Sequence, residues 1–119
     1  MKEKADIKKI ALMLAQKACD KKGQNITIMD LEGISMMSDY FVVVSASNPK
    51  HAQSVADEME DAGAEAGVTV VHREGYREGE WILLDFGDII CHIFSGEARE
   101  FYGLEELWSD AATVPFEGE

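Results

Sequence analysis

Two apolar stretches, Trp81–Phe86 and Ile89–Phe94, are separated by only Gly87-Asp88, and that spacing restricts the fold more than any other feature of the chain. A two-residue connection joins antiparallel strands in a tight hairpin, and glycine at the first turn position fits a type II′ turn. Loop length then fixes register. Phe86 faces Ile89, Asp85 faces Ile90, Leu84 faces Cys91, Leu83 faces His92, Ile82 faces Ile93 and Trp81 faces Phe94. Because side chains alternate along a strand, one face collects Ile82, Leu84, Phe86, Ile89, Cys91 and Ile93, all apolar, and is the expected core face. The other collects Trp81, Leu83, Asp85, Ile90, His92 and Phe94. Two outcomes are open for that second face. Left uncovered, it is an aromatic and aliphatic patch with an acid and an imidazole, the composition of a binding surface with tryptophan as an anchor. Alternatively, the C-terminal segment folds over it with Phe101, Leu104, Leu107 and Trp108 as cover.

The rest of the chain supplies the frame. Ile7, Ile10, Ala11, Leu14 and Ala18 recur at helical spacing, and Lys21-Lys22 before Gly23 is a stop signal. Ile26, Ile28 and Leu31 suggest a short strand, and Gly33 to Ser38 a loop. Tyr40–Ser45 is apolar on both faces and β-branched, as a central covered strand should be. Asn48-Pro49 opens a helix, with a capping side chain followed by proline at the first turn. That helix buries Ala52, Val55, Ala56, Met59 and Ala66, exposes Asp57, Glu58, Glu60, Asp61 and Glu65, and ends at Gly67. Val68–Val71 reads as a further strand, Glu74–Gly79 as a loop, and Ala98–Trp108 as helical with a break near Gly103. The order α-β-β-α-β-β-β-α predicts an α/β (α+β) fold with a single mixed sheet of about five strands and helices packed on it. At 119 residues this is one domain, with a core over about 4–114 and a short tail at 115–119.

Charge limits the choice of partner. Twenty-three acids against 11 bases give a net charge of −12. Nucleic acids draw much of their affinity from cationic side chains, so broad RNA contact or an anionic membrane is disfavoured; the charge either favours a basic protein partner or serves solubility alone. The lysines of the first helix (Lys2, Lys4, Lys8, Lys9) either graze RNA or are solvated, with solvation expected. No apolar run approaches the length of a membrane span, and no signal peptide pattern opens the chain, so a cytoplasmic protein is expected. The two cysteines, Cys19 and Cys91, lack metal or redox spacing and read as small buried hydrophobes.

Asp39–Val44, His51, Glu74-Gly75, the hairpin from Gly79 to Phe94 and the tail from Arg99 to Ala111 together resemble the RsfS/Iojap ribosomal silencing factors, in order and from about Ile26 to Val114. Phe86 stands where that family usually carries tyrosine, and Ala46 where glycine is common after the central strand. The resemblance implies a fold related to nucleotidyltransferases, no catalysed reaction and no cofactor. It also implies binding to the fourteenth large-subunit ribosomal protein, on the face that meets the small subunit, so that subunit joining is blocked when nutrients are scarce. The expected contact set is Trp81, Leu83, Ile90 and Phe94 for apolar contact, His92 for hydrogen bonding or stacking, and Asp85, Asp88, Glu105 or Glu106 for cations, with Tyr102 and Trp108 from the tail.

Two rivals remain. A nucleotidyltransferase-like enzyme needs a glycine-serine turn for phosphate and paired acids for metal. Here Ser38-Asp39 lacks the glycine, no Asp-x-Asp follows, and His51 and His72 have no acid or nucleophile at motif spacing. Asp85 and His92 lie diagonally, about 7–8 Å apart at Cα, but two ligands make a poor metal site. A homo-oligomeric interaction module would instead use the same outer face, or an open sheet edge, to pair with a second copy.

Overall fold

A computed structural model describes residues 4–35 and 38–116, apart from the side chains of Lys4 and Ala5. The expectations placed on Lys2 and on the Lys4 side chain, on positions 36 and 37 of the loop, and on the last three residues of the tail lie outside that set. The element order is α1 (Lys4–Asp20), β1 (Gln24–Asp30), β2 (Tyr40–Ala46), α2 (Pro49–Glu65), β3 (His72–Glu74), β4 (Trp81–Asp85), β5 (Ile89–Ser95), α3 (Ala98–Tyr102), α4 (Leu104–Leu107) and β6 (Ala112–Val114). The strands form one six-stranded sheet in the order β3-β4-β5-β2-β1-β6. Among the described residues, only the central β2–β5 pair is parallel; the other pairs are antiparallel.

The β4–β5 hairpin has the register that the two-residue turn demands, from Trp81 opposite Phe94 to Asp85 opposite Ile90. The Phe86 N–H closes the turn on the Ile89 carbonyl at 2.9 Å, and Gly87 supplies the positive φ of 98° that a type II′ turn needs at this position. Its inner face joins Val42 and Val44 of β2, Ile28 of β1 and the apolar sides of α1 and α2 in the larger core. The α2 helix starts as its sequence requires: the Asn48 side chain accepts the His51 N–H at 2.8 Å, with Pro49 in the first turn. His51 then ties the two helices together. Its Nδ1 accepts the Ser47 N–H at 2.9 Å, which leaves Nε2–H to donate to the Lys21 carbonyl at 2.7 Å.

Four local expectations are corrected. The sheet has six strands, not about five, because Ala112–Val114 pairs along β1; three residues are too few to show alternation. The strand expected at Val68–Val71 begins instead at His72. Val68 and Val70 pack against the inner core; the Val71 N–H reaches the Asp85 carbonyl of β4 at 2.8 Å, and strand pairing runs over residues 72–74. Ala66 is a half-buried cap residue rather than core. Cys91 is fully buried, whereas Cys19 is only half-buried on α1.

Candidate partner-binding site

The register puts Trp81, Leu83, Asp85, Ile90, His92 and Phe94 on the outer face of the sheet, away from α1 and α2. They do not share one environment. A second apolar cluster fills the middle of this face, with Phe41 and Val43 of β2 beside Ile90 and Phe94 of β5, closed by Ala98 of α3 and Leu104 of α4. Phe94 is 0% exposed and His92 3%. Ile90, His92 and Phe94, expected as contacts on an open patch, are therefore interior groups, because the C-terminal segment covers this part of the sheet. The cover uses fewer residues than expected. Leu104 is buried, and Trp108 packs edge-on to Phe41 with ring centres 6.0 Å apart, while Phe101 is 81% and Leu107 75% exposed. Helices of five and four residues make barely one turn each, so each turns only part of its surface inward.

Arg99 holds the cover down. Its guanidinium donates to the Asn25 carbonyl at 2.6 Å, Ser45 Oγ at 2.9 Å and Thr27 Oγ1 at 3.1 Å, and to both carboxylate oxygens of Glu105 at 2.7 and 3.0 Å. That engages every donor an arginine has. The Asn25 carbonyl is available because β1 breaks register between Gln24 and Thr27, with Asn25 at φ 51°. The Arg99 hydrogen bonds hold the Glu105 carboxyl below its ordinary range. Glu105, expected to meet a partner's cation, thus already has one from its own chain. Sequence reading did not find this role for Arg99, because its partners are scattered over three segments.

The acids of the hairpin sit apart from its tryptophan. Asp85 Oδ1 accepts the Gly87 N–H at 2.8 Å and braces the turn. The Asp88 carbonyl receives the Asp39 N–H, the Tyr40 N–H and the Ser38 hydroxyl, fixing the entry to β2. The Asp88 side chain is exposed at the turn. Trp81 lies at the other end of β4, four residues from Asp85, roughly 13 Å at strand spacing.

At that end an aromatic group survives at the surface. Trp81 is half-buried; its Nε1–H donates to His92 Nδ1 at 3.0 Å. Its ring centre lies 4.6 Å from that of Tyr102 and 5.1 Å from that of Phe94. Accepting the indole proton makes Nε2 the protonated nitrogen of a neutral His92, and Nε2 has no partner among the described residues. Burial lowers the pKa of His92 to about 4, so the ring is uncharged at neutral pH. The Tyr102 hydroxyl donates to Glu80 at 3.3 Å, and the charge of Glu80 raises the tyrosine pKa. Leu83 and Trp81 line a shallow pocket of about 190 Å³ with Glu74 and Gly75. The structure therefore brings Trp81, Leu83 and Tyr102 together at the surface with Glu74 and Glu80. It buries Ile90, His92 and Phe94, and leaves Asp85, Asp88, Trp108 and the exposed Glu106 outside that group. Sequence reading missed Glu80 and the exposure of Phe101. The second had a signal: Phe101 and Tyr102 are adjacent, and adjacent helical residues point to different sides.

Among the described residues, no group of three or more His, Cys, Asp or Glu is placed to hold a metal ion, and no helix is long and apolar enough to cross a membrane.

A family model described as "Ribosomal silencing factor during starvation" matches residues 4–119. The chain is 40% identical over 104 residues to a ribosomal silencing factor RsfS of Bacillus subtilis, spanning 87% of this chain and 88% of that protein. It is 37% identical over 108 residues to the RsfS of Halalkalibacterium halodurans, spanning 90% and 92%. A chloroplastic protein Iojap of Zea mays is 29% identical over 115 residues, which span 95% of this chain and 50% of the maize protein. A crystal structure of a Chromobacterium violaceum protein superimposes with a TM-score of 0.82 at 27% identity, covering 99% of this chain and 95% of that one. A crystal structure from Bacillus halodurans does so with a TM-score of 0.78 at 29% identity, covering 94% and 99%. The hairpin, the tail and the whole length of the fold thus agree: the chain belongs to the RsfS family of ribosomal silencing factors, which are ribosome-associated regulators and not enzymes.

Proposed function

We propose that this protein binds the large ribosomal subunit through the fourteenth large-subunit ribosomal protein and sterically blocks joining of the small subunit, repressing translation when nutrients are limiting. Docking centres on Trp81, with Leu83 and Tyr102 beside it and Glu74 and Glu80 meeting the partner's cations. The observation that carries this reading is the state of Trp81. It is half-exposed, yet oriented by its hydrogen bond to His92 and by a tilted ring contact with Tyr102. An aromatic anchor fixed before binding loses little rotational freedom on docking. His92 and Phe94 act from beneath, by holding the indole in place. The net charge of −12 favours a basic protein over ribosomal RNA as the main contact and speeds encounter with it.

Sedimentation of purified subunits with added protein tests the reading. Co-migration with large subunits and loss of joined ribosomes are expected. Trp81→Ala is expected to weaken subunit binding by about 2 kcal/mol, roughly thirtyfold. A folded Trp81→Ala variant that binds large subunits like the wild type removes Trp81 from the interface.

A further inference from the structure

Phe101 is 81% exposed and covers none of the sheet; its ring meets only that of Tyr102 among the described aromatic rings, edge to face at 5.1 Å. It forms one wall of a groove of about 530 Å³ that passes Ala98 and reaches Pro49 at the start of α2. The opposite wall is rigid. Ser95 Oγ donates to the Gly79 carbonyl at 2.7 Å, and the Ser95 N–H donates to the Glu80 carbonyl at 3.0 Å. Gly79, at φ 71°, lies so close to Pro49 that an added Cβ would stand 2.6 Å from the proline Cβ. The groove is thus shaped before anything enters it. Its rim carries Glu78, Glu80 and Glu97, and neither lysine nor arginine lines it.

An aromatic wall, an apolar floor and a carboxylate rim suit a lysine or arginine, whose alkyl stem lies on apolar surface while its charged head reaches the acids. Nucleic acid and a second copy of this chain both bring negative charge to that rim, the copy with a net −12. We infer that the Phe101–Pro49 groove is a docking site for a basic protein segment, which seats a lysine or arginine side chain against Phe101. This inference rests on the proposed binding to a basic ribosomal protein and extends it to a contact surface beside the Trp81 group, with which it shares Glu80.

The test measures binding of the full chain to purified large subunits over a range of salt concentrations. The variants are Phe101→Ala, the double variant Glu78→Gln with Glu97→Gln, and Trp81→Ala. The Phe101 ring is largely in water, so its removal leaves folding intact, which circular dichroism checks. Phe101→Ala is expected to weaken binding about tenfold, and the double variant to flatten the salt dependence. Absence of wild-type binding overturns both the proposed function and the groove. Weakening by Trp81→Ala with wild-type behaviour of the other two variants overturns the groove alone. If Phe101→Ala abolishes a concentration-dependent dimer and leaves subunit binding unchanged, the groove holds a second copy and the inference fails.

Discussion

The two faces of the sheet are built by different means. The inner face is a continuous, mostly aliphatic layer in which Leu14, Val42, Val55, Ile82, Leu84 and Ile93 are all inaccessible, under two helices of 17 residues each. The outer face is aromatic and lies under two helices of five and four residues. Its cover is fastened by a single arginine more than by apolar area. Burying apolar surface is non-directional and strong, so the inner face supplies most of the stability. Hydrogen bonds and ring edges contribute less net free energy but fix direction, so the outer face gains a defined surface. The half-open aromatic group belongs on the second face, because a strongly packed layer has no half-buried tryptophan to offer a partner.

The contrast can be broken or sharpened by measurement. Leu84→Ala, on the inner face, is expected to destabilise the fold by about 3–4 kcal/mol, read by denaturant unfolding; a loss below 1 kcal/mol contradicts the division of labour. The next effect depends on pH. The folded-state pKa of His92, lowered by burial to about 4, lies below its ordinary value of 6.5. Between those values the unfolded chain binds the proton and the folded chain does not. The stability is therefore complete above pH 6.5 and is lost as pH falls towards 4. Relative to His92→Leu, the wild type is expected to lose on the order of 3 kcal/mol across that window. Parallel pH curves for the two proteins refute a neutral buried imidazole.

Arg99→Ala is expected to cost about 2 kcal/mol through its charged hydrogen bonds. Its distinctive sign is local: amide exchange should quicken from Phe101 to Trp108 while α1 and α2 stay protected. Uniform loss of protection means that the cover and the core unfold as one unit. The smallest effect is expected at Leu107, which is 75% exposed. Leu107→Ser should leave unfolding stability within about 0.5 kcal/mol of the wild type.

The hairpin register was legible because two residues between apolar runs allow one pairing, and β2 because it is apolar on both sides. The start of α2 was legible because Asn48 and Pro49 have local roles that no distant contact alters. Elsewhere, non-local contacts decided. Val68 and Val70 alternate as in a strand but do so to pack against the inner core, which moves pairing along to His72. The outer face could be enumerated from the turn, yet its cover depends on helices of about one turn, too short for periodicity to show which side points inward. The acids expected to meet a partner divided for the same reason. Glu105 is claimed by the Arg99 guanidinium and Asp85 by the Gly87 N–H, one an ion pair within the cover and the other a bond of the turn backbone.

The order of strands bears on how the protein emerges during synthesis. β2 has its parallel partner in β5, so Tyr40 waits for Ile89; β1 is bordered by β6, so Ile28 waits for Val114. A nascent chain that has released only α1 to α2 holds a lone β1–β2 pair, with both long edges unsatisfied and sticky to other strands. A stall before residue 89 is therefore expected to yield a fragment prone to aggregate.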